Sequence, residues 1–229
     1  MDELTLLSRT SLFRGIPLTE LSALLLGLHP TRRRFDKGEK ILQCGDPCTY
    51  LGIVTVGQLE IWRPLPNGSR ILTVQLGPGG VFGDVLAGTD LKSPVTIQMT
   101  EPGEVLFFAY EHILTPNPTC PAASRQLLRN LLNSMGTKYF HLMDRVELLT
   151  LKSLRSKICA YLLQYACQAG ADTFSVPHSR AAMAEYLGCE RSALSRELSR
   201  MQKEGLIQTY KSSFKLVDRA RIEQLYRCV

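Results

Sequence analysis

The sequence predicts an α+β protein with three parts: an N-terminal antiparallel β-barrel of jelly-roll type, a long dimerisation helix and a C-terminal winged helix-turn-helix. Three observations carry this expectation. Residues 35–108 are rich in β-branched and aromatic side chains and are punctuated by glycine. Apolar residues, Leu128, Met135, Leu142 and Leu149, then recur every seven residues over a long proline-free stretch. Near the C-terminus, a short helical pattern ends at a glycine and is followed by a second helix with one apolar and one polar face.

Length and composition set the frame. The chain has 229 residues, 45% of them apolar, with mean hydropathy −0.02, as in ordinary globular proteins with room for two modest domains. The opening MDELTLLSRT is acidic, unlike a signal peptide, and no apolar run approaches the ~20 residues of a membrane span. A cytoplasmic protein without a membrane partner is expected. The seven cysteines are scattered and odd in number, so reduced thiols are expected. Cys44 and Cys48 lack a second pair or a nearby histidine, and His29, His112, His141 and His178 are far apart, so neither metal nor cofactor is predicted. Charge is unevenly placed. Residues 1–144 hold 13 basic and 13 acidic side chains, whereas 145–229 hold 14 and 8, so the net +6 lies wholly in the C-terminal part, which is the part suited to a polyanion.

In residues 1–120, glycines at 38, 45, 52, 57, 68, 77, 79, 80, 83 and 88 separate short strands. Leu59–Arg63 and Arg70–Leu76 flank Asn67-Gly68, which signals a hairpin whose turn takes positive φ at both residues. Arg32-Arg33-Arg34 reads as a solvated strand edge.

After prolines at 116, 118 and 121, a helix is expected from about Ala122 to Leu149, the 121–149 segment. Its seam is Leu128, Leu132, Met135, Tyr139, Leu142, Val146 and Leu149, an a/d pattern sustained for three heptads, which predicts a parallel homodimer. The alternative is an amphipathic helix packed on its own barrel. Gly136 lies off the seam and costs ~1 kcal/mol relative to alanine.

Residues 150–229 begin with a helical segment, Leu151–Gln168, and then reach the most specific stretch, Ser179–Met201. Ser179 is placed to cap a short helix, and Gly188 to end it in the left-handed conformation. In the next helix Leu194, Leu198 and Met201 share one face, while Ser192, Ser195, Arg196, Ser199 and Lys203 share the other. Short hydroxyl side chains let such a helix sit deep in a major groove, and Arg196 offers the planar fork that matches guanine O6 and N7. Arg180 and Arg191, near helix starts, suit phosphate. Strands at 206–210 and 214–217 around Lys211-Ser212-Ser213 make a wing with a lysine at its tip. The expected partner is double-stranded DNA with a palindromic site. No nucleophile–base pair, metal set or phosphate loop suggests an enzyme. A small-molecule-binding adaptor acting through protein contacts is the competing function.

Phe35-Asp36-Lys37-Gly38-Glu39, Gly45-Asp46 and Phe82-Gly83-Asp84, together with the helix-turn-helix, resemble the Crp/Fnr family of bacterial transcription regulators over nearly the whole chain. The resemblance implies a cyclic-nucleotide-binding-type sensor barrel, a small-molecule effector and, for an activator, RNA polymerase as partner. It implies an effector pocket at Phe82, Gly83, Asp84, Lys92, Ser93, Leu142 and Met143. Three departures argue against cyclic AMP. Asp84 stands where the family places the ribose-binding glutamate, Lys92-Ser93 replaces the phosphate-binding Arg-Ser, and Leu142-Met143 replaces a polar pair that meets adenine. In the reading helix, Ser195 and Arg196 match a family pattern, whereas Ser192 replaces the usual glutamate acceptor for cytosine N4.

Overall fold

Strand-forming runs in the first half and helix-forming runs in the second give nineteen elements in the computed structural model, which describes residues 2–86, 89 and 91–227. Gly88, named above, and Cys228, one of the seven cysteines, lie outside the described residues. In chain order the elements are α1 (Glu3–Ser8), α2 (Leu18–Leu28), β1 (Thr31–Phe35), β2 (Lys40–Leu42), β3 (Tyr50–Val56), β4 (Leu59–Pro64), β5 (Arg70–Leu76), β6 (Val81–Phe82), β7 (Thr96–Met99), β8 (Gly103–Ala109), α3 (Tyr110–Leu114) and α4 (Pro121–Thr150). They continue with α5 (Leu154–Ala169), β9 (Thr173–Ser175), α6 (Arg180–Leu187), α7 (Arg191–Lys203), β10 (Ile207–Tyr210), β11 (Ser213–Leu216) and α8 (Arg219–Arg227). The chain divides into two compact units, Met1–Lys138 and Tyr139–Val229, and the division falls inside α4.

In the first unit two four-stranded antiparallel sheets, in the orders β1-β8-β3-β6 and β2-β7-β4-β5, enclose one core. Phe35, Val54, Phe82, Val105 and Phe107 enter it from one sheet, and Ile41, Leu59, Ile61, Ile97 and Met99 from the other. Alternation explains why β3 and β8 are apolar almost throughout. Val54, Val105 and Phe107 point between the sheets, while Leu51, Ile53, Leu106 and Phe108 point outward to a second core. That core is completed by Leu7 of α1, Leu21, Leu24 and Leu28 of α2, and Ala123, Leu127 and Leu131 of α4. The two N-terminal helices have no counterpart in the sequence expectation, which left residues before the first strand unassigned.

The hairpin at Asn67-Gly68 differs from expectation in its turn. The Leu65 amide donates to the Ser69 carbonyl, and Gly68 donates to Leu65. Only Gly68 has positive φ, at 81°. Pro66 fixes the first turn position, so the connection is a three-residue loop with glycine in the left-handed place, rather than a two-residue turn with both φ positive. Asn67 instead accepts from the Ser69 amide and hydroxyl through its own carbonyl oxygen. The Arg32–Arg34 strand edge is as expected. β1 is an edge strand, and its arginines are exposed and paired with Glu3 and Glu104 or laid over the Phe35 ring.

α4 is one unbroken helix of 30 residues, so Gly136 does not interrupt it. A Cβ added at Gly136 would meet no atom within 4 Å. Gly136→Ala is expected to stabilise the protein by about 1 kcal/mol through lost unfolded-state freedom, and to raise the melting temperature by a few degrees. Calorimetry or a circular-dichroism melt measures it, and a lower melting temperature would place this position against another surface.

The second unit packs α5, α6, α7 and α8 with the antiparallel sheet β10-β11-β9 around Ile158, Tyr161, Leu162, Met183, Leu187, Leu194, Leu198, Phe214 and Ile222. Helix α5 starts three residues later than the sequence suggested, because Ser153 caps it by accepting from the Ser156 amide. β9 and α8 were not foreseen. Among the described residues, no helix is long and apolar enough to cross a membrane.

Candidate nucleic-acid interface and sensor site

The interface is built from a short helix, a tight turn and a second helix. Ser179 accepts from the Ala182 amide and so begins α6, and Gly188, at φ 64°, ends it. The amides of Gly188 and Cys189 return to the Glu185 and Ala184 carbonyls, which satisfies the last turn and reverses the chain in three residues before α7. A side chain at Gly188 would be strained and would approach the Leu149 side chain to 3.3 Å. Met183, Ala184 and Leu187 of α6 then meet Leu194, Leu198 and Met201 of α7 in the core.

With that face of α7 buried, Ser192, Ser195, Arg196, Ser199 and Lys203 are all exposed, as the spacing predicted. The Ser199 hydroxyl donates to the Ser195 carbonyl at 2.9 Å, which leaves its oxygen lone pairs to accept from outside. Arg191 is exposed in the first turn of α7.

Helix α7 is held by a network that sequence reasoning missed. Arg155 of α5 donates to Glu197 at 2.5 Å and to Glu204 at 2.7 and 2.9 Å. The hydrogen bonds to Glu204 raise the Arg155 pKa, and the same contact lowers that of Glu204. Glu197 follows Arg196 about 100° around the helix and is turned to Arg155, so the network fixes the helix without engaging Arg196. The only sequence signal was an acidic residue within the apolar half of the helical wheel.

The wing is a two-residue turn between β10 and β11. Lys211 sits at its tip, exposed, with φ 53° and its ammonium 5.5 Å from the Tyr210 ring centroid.

Sequence position suggested Arg180 for phosphate; the structure lays its guanidinium over the Phe214 ring, 4.6 Å from the centroid, and has it donate to Thr209 Oγ1. Burial lowers its pKa. The cause is tertiary: β10 and β11 fold back across the start of α6 and supply an aromatic face and a hydroxyl. Arg180→Ala is therefore expected to destabilise the second unit by about 1 kcal/mol through the lost cation–π contact, seen as a melt several degrees lower. Unchanged melting together with weaker DNA binding would restore the purely phosphate role.

On the sensor side, the structure brings together only part of the expected pocket. Phe82 is buried against Phe107, and Gly83, at φ 82°, turns the chain where an added Cβ would lie 2.5 Å from the Tyr50 carbonyl oxygen. Asp84 is only 4% exposed, and its carboxylate meets Lys138 Nζ at 2.6 and 2.5 Å and the Ser134 hydroxyl at 2.9 Å. Neither Ser134 nor Lys138 was among the expected pocket residues. Ser93 is buried, but its hydroxyl donates to the Val95 carbonyl at 2.8 Å, so it is turned into its own loop. Lys92 is exposed and its backbone bridges to Pro47. Leu142 and Met143 are exposed on α4.

The seam of α4 is likewise divided. Leu128 and Met135 are partly buried against the barrel-side core. Leu132, Tyr139, Leu142, Val146 and Leu149 remain exposed, joined by Phe140, which the heptad spacing missed. An unsupercoiled helix drifts by about 20° per heptad against a strict seven-residue repeat, so a heptad stripe need not keep to one face along its whole length.

Among the described residues, no group of three or more histidines, cysteines or carboxylates could hold a metal. His29 and His112 pack edge to face at 5.7 Å, and His178 Nδ1 meets the Tyr161 hydroxyl at 2.9 Å.

Two family models match consecutive parts of this architecture: a cyclic nucleotide-binding domain over residues 32–115 and a Crp-like helix-turn-helix domain over residues 156–225. The chain belongs to the Crp/Fnr family of transcription regulators. It is 26% identical to the nitrogen fixation regulation protein FixK of Bradyrhizobium diazoefficiens, over 85% of this chain and 81% of that protein. It is 25% identical to the CRP-like cAMP-activated global transcriptional regulator of Mycobacterium tuberculosis, over 99% and 100%. Among solved structures, the Thermus thermophilus catabolite activator protein shares the fold with a TM-score of 0.55 at 22% identity, covering 95% of this chain and 99% of that one. As a Crp/Fnr regulator the chain is a DNA-binding transcription regulator, in a family whose members typically act as dimers.

Proposed function

We propose that this Crp/Fnr regulator acts in the cytoplasm as a homodimer, reads a palindromic operator through α7 and has no enzymatic activity. The observation that carries the reading is the polar face of α7. Arg196 stands there among Ser192, Ser195 and Ser199, and Leu194, Leu198 and Met201 bury the other face. Arg191, Lys203 and Lys211 supply positive charge for phosphates around it, and Arg180 contributes by fixing α6. The exposed apolar stripe from Leu132 to Leu149 supports self-association, since monomers rarely leave such a continuous patch uncovered. RNA polymerase is the further partner if the regulator activates.

Cyclic AMP is not the effector in this reading. Asp84 is engaged by Lys138, Lys92 cannot reproduce a bidentate arginine–phosphate contact, and Leu142 and Met143 offer adenine no polar partner. Selection of bound duplexes from a random DNA library tests the function. An inverted repeat with half-site centres about 34 Å apart is expected, as for a dimer placing two reading helices one helical turn apart. Failure to enrich any duplex would favour the adaptor that works through protein contacts.

A further inference from the structure

The contact of Asp84 with α4 carries a consequence for regulation. A carboxylate is acceptor-only, and Asp84 accepts on both oxygens from Lys138 and on Oδ2 also from Ser134. Its place is fixed from behind. Gly83 is pinned against the Tyr50 carbonyl, and Gly52 leaves room for the Phe82 ring only because it lacks a Cβ, which would lie 2.0 Å from that ring. The backbone leading into Asp84 is therefore held by the β3–β6 pairing beside it. Ser134 and Lys138 are four residues apart and so lie on one face of α4. A ligand hydroxyl seeking this carboxylate would meet oxygens that already accept three hydrogen bonds from the chain's own half-exposed Lys138 and from Ser134. Ser93, expected on the phosphate side, is likewise satisfied within its own loop.

From this geometry we infer that the Asp84–Lys138–Ser134 contact is a built-in strap that replaces an effector, so that the regulator holds its DNA-binding form without any small molecule. The inference rests on the DNA-binding reading above. The strap joins the Phe82-Gly83-Asp84 turn to α4 immediately before Tyr139, where the exposed stripe continues. It thus fixes how the part of α4 up to Lys138 is turned against the barrel. The chain supplies the cation that links barrel to helix.

The test uses the full chain, unfolded in guanidinium, freed of small molecules by gel filtration and refolded. Fluorescence anisotropy then measures its affinity for the selected operator. Stripped wild type is expected to bind as tightly as untreated protein, and millimolar cyclic AMP, cyclic GMP or a low-molecular-weight cell extract should change nothing. Lys138→Met should weaken operator binding by about tenfold or more, a coupling in the usual allosteric range, while Lys138→Arg keeps most of it. A melt of each variant separates loss of the strap from loss of the fold. If Lys138→Met does not fold, the stripped wild type alone decides. Loss of binding on stripping, restored by cyclic AMP or by extract, would overturn the inference and leave the DNA reading intact. Binding by Lys138→Met equal to wild type would also overturn it. No binding by any form, untreated protein included, would remove the DNA reading and this inference with it.

Discussion

Leu142→Glu is expected to convert the protein to a monomer and to abolish operator binding. Leu142 is 59% exposed and lies within a stripe that includes Leu132, Tyr139, Val146 and Leu149 at heptad spacing, with Phe140 alongside. If two copies of α4 pair through this stripe, the substitution buries a carboxylate from each chain beside apolar side chains and beside each other. An uncompensated buried charge costs about 3–5 kcal/mol, and two like charges at one interface cost more, which is enough to dissociate most helix-mediated dimers. Operator binding should fall with it, because a single half-site forfeits the second set of contacts and the effective concentration that links them. Sedimentation velocity and operator anisotropy measure the two effects. The monomer itself should stay folded, since Leu142 makes no part of either unit's core. An intact dimer in the variant would remove α4 from this role.

Arg196→Ala should weaken binding to the selected operator while leaving a scrambled duplex nearly unaffected. Arg196 is exposed on the polar face of α7 and no part of the Arg155 network, so its loss should not disturb the fold. One bidentate arginine–guanine pair discriminates by ~1–3 kcal/mol, and a dimer presents Arg196 twice, so the loss is roughly 2–6 kcal/mol when the half-sites act independently. Non-specific affinity comes from phosphate neutralisation and should change by only one charge per chain, visible as a small decrease in the salt slope. The measurement is anisotropy with both duplexes across a salt series. Equal weakening of operator and scramble would mean that α7 holds the backbone and does not read bases.

What the sequence determined by itself was local and periodic. The faces of α7 follow from 100° per residue, and Ser179 and Gly188 bracket α6 because a hydroxyl can cap an amide and a glycine can take positive φ. The length of α4 was legible for the same reason. Contacts between distant segments were not. That Arg180 lies over Phe214 depends on the wing folding back across α6, and Arg155 reaches Glu197 and Glu204 across more than forty residues of chain. That Lys138 reaches Asp84 depends on the register of α4 against the barrel, which no heptad count contains. The heptad count also could not say that Leu128 and Met135 turn toward their own barrel while Leu142 does not, because a stripe of apolar residues specifies that something will cover it and leaves the choice of partner to the packing around it. Hydrophobic burial is non-directional, so pattern fixes which side chains leave water. Only the tertiary structure decides which charged groups are thereby brought within hydrogen-bonding distance, and here those groups hold α7 and engage Asp84.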